Sequence, residues 1–172
     1  MTDHGPDPEG EDDAYYQLML DPEALLLCAL MWAPTPDEGA DRVCGVLDAG
    51  DFNNTNYGAI FAAVVAVRSA GRRADAASIR SWLLEQGSDS AIDQQVAGPM
   101  LVSLSTLGTP PGTVVTYADQ VLGVSYRRFF QRTAAALTHA GETAPESRLF
   151  ELMLEEGRKQ RRAWERRQSL RG

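Results

Sequence analysis

Thr143-Ala144-Pro145-Glu146 lies between two long helical stretches, and its reading decides the fold. The four residues have the S/T-x-x-E form of a helix capping box, with proline placed for the first turn. On the N-terminal side one helix is expected from about Val114 to Ala140, broken at Gly141. Tyr117, Val121, Tyr126, Phe129, Phe130, Thr133 and Leu137 form one broad stripe along it. On the C-terminal side a second helix is expected to about Leu170. A break this short between helices this long makes them antiparallel neighbours. Residues 113–170 are therefore expected to form a helical hairpin with a basic C-terminal end.

The hairpin has more apolar surface than two helices can cover. Leu149, Phe150, Leu152, Met153 and Leu154 occupy nearly every direction around the second helix, and one partner helix shields one side. The remainder must meet a second molecule or fold back on the rest of the chain. Phe129, Phe130, Leu137, Leu149, Phe150, Leu152 and Met153 are the candidate contacts of a homodimer or higher oligomer.

Upstream, residues 14–112 read as a compact body of about six helices, so the expected class is all-α. Asp21-Pro22-Glu23 is a helix start: Asp caps, Pro fits the first turn, and Glu favours the positive helix end. Leu25, Leu26, Leu27, Leu30 and Met31 make the following helix apolar almost all round, as expected of a central core helix. A second helix is expected from Asp37 to Leu47, with Val43, Val46 and Leu47 inward. A third, capped by Thr55, carries Tyr57, Ile60, Phe61, Val64 and Val67 and closes at Gly71. Asp75 caps a helix bearing Ile79, Trp82 and Leu83 that stops at Gly87, and Gly98-Pro99 opens another with Met100, Leu101 and Leu104. Val114-Val115-Thr116-Tyr117 is the one β-like stretch, and it runs into helical sequence.

Composition narrows the function. A chain of 172 residues with 44% hydrophobic content can bury a real core. Its formal net charge of −8 opposes general affinity for a phosphate backbone, yet the charge is uneven. Residues 1–13 hold six carboxylates and no Lys or Arg, the composition of a disordered acidic tail. From Tyr126 onward there are 11 cations and 6 carboxylates. No apolar run approaches a membrane span and the first residues are acidic, so no membrane contact and a cytoplasmic location are expected.

The motifs of the body, taken in order, are similar to a known family. Asp21-Pro22-Glu23-Ala24-Leu25-Leu26 resembles its opening helix. Asp51-Phe52, Tyr57 and Ile60-Phe61 are similar to its D-F-x4-[HY]-x2-I-F stretch. Gly71-x3-Asp75 with Leu83, then Ala97-Gly98-x2-Leu101-x2-Leu104, then Tyr117-Ala118-x2-Val121, complete the match across Asp21 to Arg128. The chain thus resembles the N-terminal domain of DnaB-type replicative DNA helicases. Tyr57 stands where that family more often has His, and a double glycine is reduced to Ala97-Gly98. The resemblance implies six small helices followed by a hairpin. It also implies pairing of hairpins between subunits into a collar, and contacts with primase and loader proteins.

The family's motor chemistry has no counterpart here. A P-loop needs G-x4-G-K-[ST], but the single lysine, Lys159, sits in Glu156-Gly157-Arg158-Lys159-Gln160 without a glycine loop. ATPase and helicase activity are therefore not expected of this polypeptide. His4, His139, Cys28 and Cys44 are too few and too scattered for a zinc site, and no cofactor or metal is expected. Asp51-x-Asn53-x-Thr55 faintly resembles a calcium loop, but Asn56 and Ala62 occupy positions that need Gly and Glu, so a capping turn is the expectation.

The basic end fits three readings. Arg158, Lys159, Arg161, Arg162, Arg166, Arg167 and Arg171 face a single carboxylate, Glu165. They could form a solvated helix face, a weak phosphate-contacting arm on DNA, or a dock for an acidic protein surface, the chain's own tail included. Three functions follow: a stand-alone interaction module engaging replicative helicase, primase or loader; the N-terminal part of a longer helicase; or a DNA-binding adaptor using the Arg-rich helix.

Overall fold

The computed structural model describes residues 16–171, and the acidic stretch 1–13 lies outside them. Among the described residues the fold is all-α, a compact bundle followed by a long antiparallel hairpin. Residues 16–19 form a helical turn. The bundle then comprises α1 (Pro22–Trp32), α2 (Glu38–Val46), α3 (Thr55–Ser69), α4 (Ala76–Glu85) and α5 (Gln94–Ser105). The hairpin is α6 (Val114–Thr143) and α7 (Glu146–Arg171), and short 3-10 turns sit at Ala49–Asp51, Gly87–Asp89 and Pro111–Thr113.

Helix α1 is central because its sequence leaves it no polar face. Ala24, Leu26, Leu27, Cys28, Ala29 and Leu30 are all fully buried, and α3, α5 and α6 pack around them. Asp21 accepts a hydrogen bond from the Glu23 amide at 2.9 Å, with Pro22 in the first turn. Helix α2 turns Val43 inward and ends against Leu47, and its Asp41 receives both Nε (3.2 Å) and Nη2 (2.7 Å) of the buried Arg68 from α3. Arg68 also reaches the Ala33 carbonyl at 3.4 Å, so one guanidinium ties α3 to α2 and to the end of α1.

Helix α3 begins under Asn54, not Thr55. The Asn54 side chain accepts from the amides of Asn56 and Tyr57, which makes Thr55 the first helical residue. Its Gly58 is required by proximity, since a Cβ there would lie 2.5 Å from the Ala49 carbonyl oxygen. Gly71, with φ of 71°, closes the helix through the 2.8 Å bond from its amide to the Arg68 carbonyl. Helix α4 is capped by Asp75 as expected, at 2.8 Å from the Ser78 amide. Helix α5 starts four residues before Gly98, because Asp93 caps it through the Gln95 amide at 2.7 Å and Pro99 is carried inside the helix.

The hairpin turn is tighter than its motif implies. Thr143 does not cap α7; it is the last residue of α6, and its hydroxyl donates back to the His139 carbonyl at 2.8 Å. Gly141 does not break α6 either, since one helical glycine costs only about 1 kcal/mol. The break comes from Pro145, which biases the preceding residue to extended backbone; Ala144 has φ −83° and ψ 148°. The β-like run Val114 to Tyr117 is the first turn of α6.

The core does not stop where the hairpin begins. Val114, Ala118, Val121 and Leu122 of α6, and Leu170 near the end of α7, are buried in the same apolar cluster as α1 and α3. Both helices are therefore rooted in the bundle at the hairpin's open end, and the closed end projects away from the core.

Candidate interaction surface

Beyond Leu122 the hairpin has a seam of its own. Thr133 is the last buried residue of α6, and its hydroxyl meets Glu156 (3.3 Å) and Gln160 (3.0 Å) of α7. That pairing fixes the register of the two helices at this level. Phe129, Leu137, Leu149 and Leu152 are half-buried along this seam, spaced at three and four residues like a two-helix contact. The seven candidate residues thus divide by exposure: these four are half-buried, and three are exposed. Phe130, Phe150 and Met153 are 58%, 65% and 52% exposed, and Leu154 is also exposed. Phe150, Met153 and Leu154 lie at i, i+3 and i+4 near the closed end, so they form one apolar stripe beside the seam. None of residues 149–154 belongs to the buried core cluster of the body.

The last turns of the basic end of α7 are tied to the body and to α6. Arg166 bonds Asp48 (2.8 Å) and Asp51 (2.5 Å), whereas Arg167 and Arg171 both reach Asp119 of α6, at 3.4 and 2.8 Å. Lys159 pairs with Glu156, and Arg161 with Glu165, within α7. Among the described residues Arg158 and Arg162 have no carboxylate within 4 Å. Three of the seven cations, Arg166, Arg167 and Arg171, thus meet an acidic surface of the chain's own, supplied by Asp48, Asp51 and Asp119. Hydrogen bonding to Arg171 holds the Asp119 carboxyl below its ordinary 3.8, with Arg167 adding to the effect.

Asp51 organises this junction. It is 2% exposed, accepts from the Ser125 hydroxyl (2.7 Å) and the Asp48 amide (2.9 Å), and takes Arg166 as its counter-ion. Its carbonyl accepts from Arg128 at 2.5 Å. Glu23, also buried, accepts from the amides of Asn53 and Asn54 at 2.6 and 3.1 Å and lies 4.0 Å from Arg128. Sequence reasoning read Glu23 as a helix-end charge and Asp51 as part of a turn. Their partners, Arg128 and Arg166, are more than 70 positions away, and no local pattern links them. The calcium-loop pattern is a capping turn: Asp51 closes a capping box with Asp48, and Asn54 caps α3.

Among the described residues no group of three His, Cys, Asp or Glu converges as a metal site, and no helix is long and apolar enough to cross a membrane. Cys28 and Cys44 are unpaired, and burial pushes the Cys44 thiol up to about 11, so it stays protonated at neutral pH.

The described residues thus form an all-α helical module, a bundle whose projecting hairpin is apolar at its closed end and tied to the body at its base. The family model of the DnaB-like helicase N terminal domain matches residues 17–122, more than half of the chain. The chain belongs to the DnaB-like helicase N-terminal domain family, and the matched domain is not the motor domain. No curated protein matches it. The match ends at Leu122, where α6 leaves the core, so the apolar stripe and the basic end lie outside it.

Proposed function

We propose that this chain is a protein-interaction and oligomerisation module of DNA replication that works through the closed end of its hairpin. The observation carrying this reading is the exposure of Phe130, Phe150, Met153 and Leu154 on a hairpin that has already filled its own seam. Water contact at large apolar side chains is unfavourable by about 1.5–3 kcal/mol for each one that could be fully buried. A second hairpin, from another copy or from a replicative helicase subunit, offers the matching apolar surface. In such a collar-like assembly the bundle would present its faces to helicase, primase or loader. The engagement of Arg166, Arg167 and Arg171 by carboxylates of the body argues against a DNA-binding arm as the main role. Phe129, Leu137, Leu149 and Leu152 then act by holding the two helices together rather than by direct contact.

The test is to mix the chain with the replicative helicase and primase of its host and follow complex mass, helicase loading and primer synthesis. Co-assembly, with altered loading or priming, is the expected result. Unchanged assembly, loading and priming would refute the proposal.

A further inference from the structure

At the base of the hairpin, α6, α7 and the Asp48–Asp51 turn enclose a cleft of about 410 Å³. Arg128 and Arg132 enter it from α6, one helical turn apart, and Lys159, Arg162 and Arg166 enter from one face of α7. With Arg167, six cations line the cleft against two carboxylates, Asp48 and Asp51. This is a concentrated positive site in a chain whose formal net charge is −8.

Internal pairing leaves part of that charge uncommitted. Arg166 is taken by Asp48 and Asp51, and Arg167 by Asp119. Among the described residues Arg132 and Arg162 have neither a carboxylate within 4 Å nor a side-chain hydrogen bond. Arg128 is committed through Nη2 to the Asp51 carbonyl, and its buried Nη1 lies 4.0 Å from the Glu23 carboxylate without a hydrogen bond. Two open guanidinium forks therefore line the same cleft, beside Arg128. That donor set wants a compact anion with many acceptor oxygens, and planar guanidinium matches phosphate in particular. Phe129 and Tyr126, both half-buried, add aromatic surface to the wall. The volume falls within the range of small-ligand sites, about 300–1,000 Å³. A duplex would need cations spread along a track, whereas here they converge.

We propose that this cleft is a binding site for a diphosphate group, free or carried by a nucleotide, held by Arg132 and Arg162 with Arg128 at its floor. It is a binding site and not a catalytic one. The proposal is independent of hairpin pairing, because the cleft is at the opposite end from Phe150 and Met153.

Calorimetric titration of the full chain at low ionic strength tests it, with inorganic pyrophosphate, ADP and adenosine as probes. Pyrophosphate and ADP should bind saturably, one per chain, and adenosine should not. ADP binding more tightly than pyrophosphate assigns the nucleotide, with the ring on Phe129 or Tyr126; equal affinities assign the free anion. Arg132 and Arg162 are solvent-exposed, so the R132A/R162A chain should keep its fold and lose about tenfold or more in affinity. The R148A/R158A chain, with the same charge change outside the cleft, should stay within about twofold. Absence of saturable binding, or equal losses in the two double variants, would overturn the proposal.

Discussion

Replacing Asp51 with alanine should unfasten the hairpin base while leaving the bundle folded. The substitution removes acceptors for the Ser125 hydroxyl, the Asp48 amide and the Arg166 guanidinium, at 2.7, 2.9 and 2.5 Å. A neutral hydrogen bond contributes about 1 kcal/mol net, and breaking a fully buried ion pair costs about 3–5 kcal/mol. The Asp51 change falls between these limits. Arg166 keeps Asp48 as a partner and its side chain is 35% exposed, so its charge is not stranded. The expected loss is about 3 kcal/mol, which for a chain of this size lowers the melting temperature by roughly 6–12 °C. Circular dichroism melting reads the global effect, and hydrogen exchange reads where it falls. Amides of residues 160–171 should lose protection first, with α1 and α3 protected until global unfolding. Asp51→Asn, which keeps size and polarity but not charge, should show about half the loss. A melting point within about 2 °C of the parent, or protection lost evenly through α1 to α5, would refute the reasoning.

Four further outcomes are expected. Leu170→Ala, at a site 1% exposed, should cost about 2–4 kcal/mol by urea denaturation despite lying two residues from the chain's last. Gly58→Ala should destabilise by more than a helical glycine-to-alanine change normally gains, because its Cβ would press on the Ala49 carbonyl; a stabilised variant would contradict that packing. With its thiol raised from 9.0 to about 11, Cys44 should alkylate about 100-fold more slowly at pH 7 than an unburied cysteine in a peptide, by mass spectrometry. Asp41 and Asp119 are both held below 3.8, first by hydrogen bonds from Arg68 and Arg171. The folded state should therefore hold fewer protons than the unfolded state near that pH. The stability these groups add is complete above the unfolded value and lost as pH falls through their lowered folded values, so melting temperature should drop below about pH 4 and more weakly in Asp119→Asn.

Most of the fold is written in short-range patterns, which is why it could be read directly. The all-round apolar run in α1, the caps at Asp21 and Asp75, and the paired long helices depend on residues within a turn or two of each other. The misreadings were also local. Asn54 and Thr55 are both cap formers, and the choice between them depends on where the chain arrives from Glu23 and Asp51. Thr143 bonds backward because Pro145, not Gly141, limits α6. The apolar excess at 149–154 was visible by counting helix sides, but which side faces α6 depends on the Thr133–Glu156–Gln160 register. The basic end was legible as charge and not as partnership, since Asp48, Asp51 and Asp119 meet it only after the bundle has folded.

Sedimentation of the purified chain across a concentration series, beside a Phe150→Glu, Met153→Glu variant, tests the account most directly. With those side chains outside the core, the variant should keep its far-UV helicity. The parent chain is expected to self-associate reversibly by about 100 µM, as a modest apolar interface would allow, and the variant to run as a single chain. A parent chain that remains single at that concentration, or a variant that associates equally well, would contradict the assignment of the hairpin's closed end as the contact face.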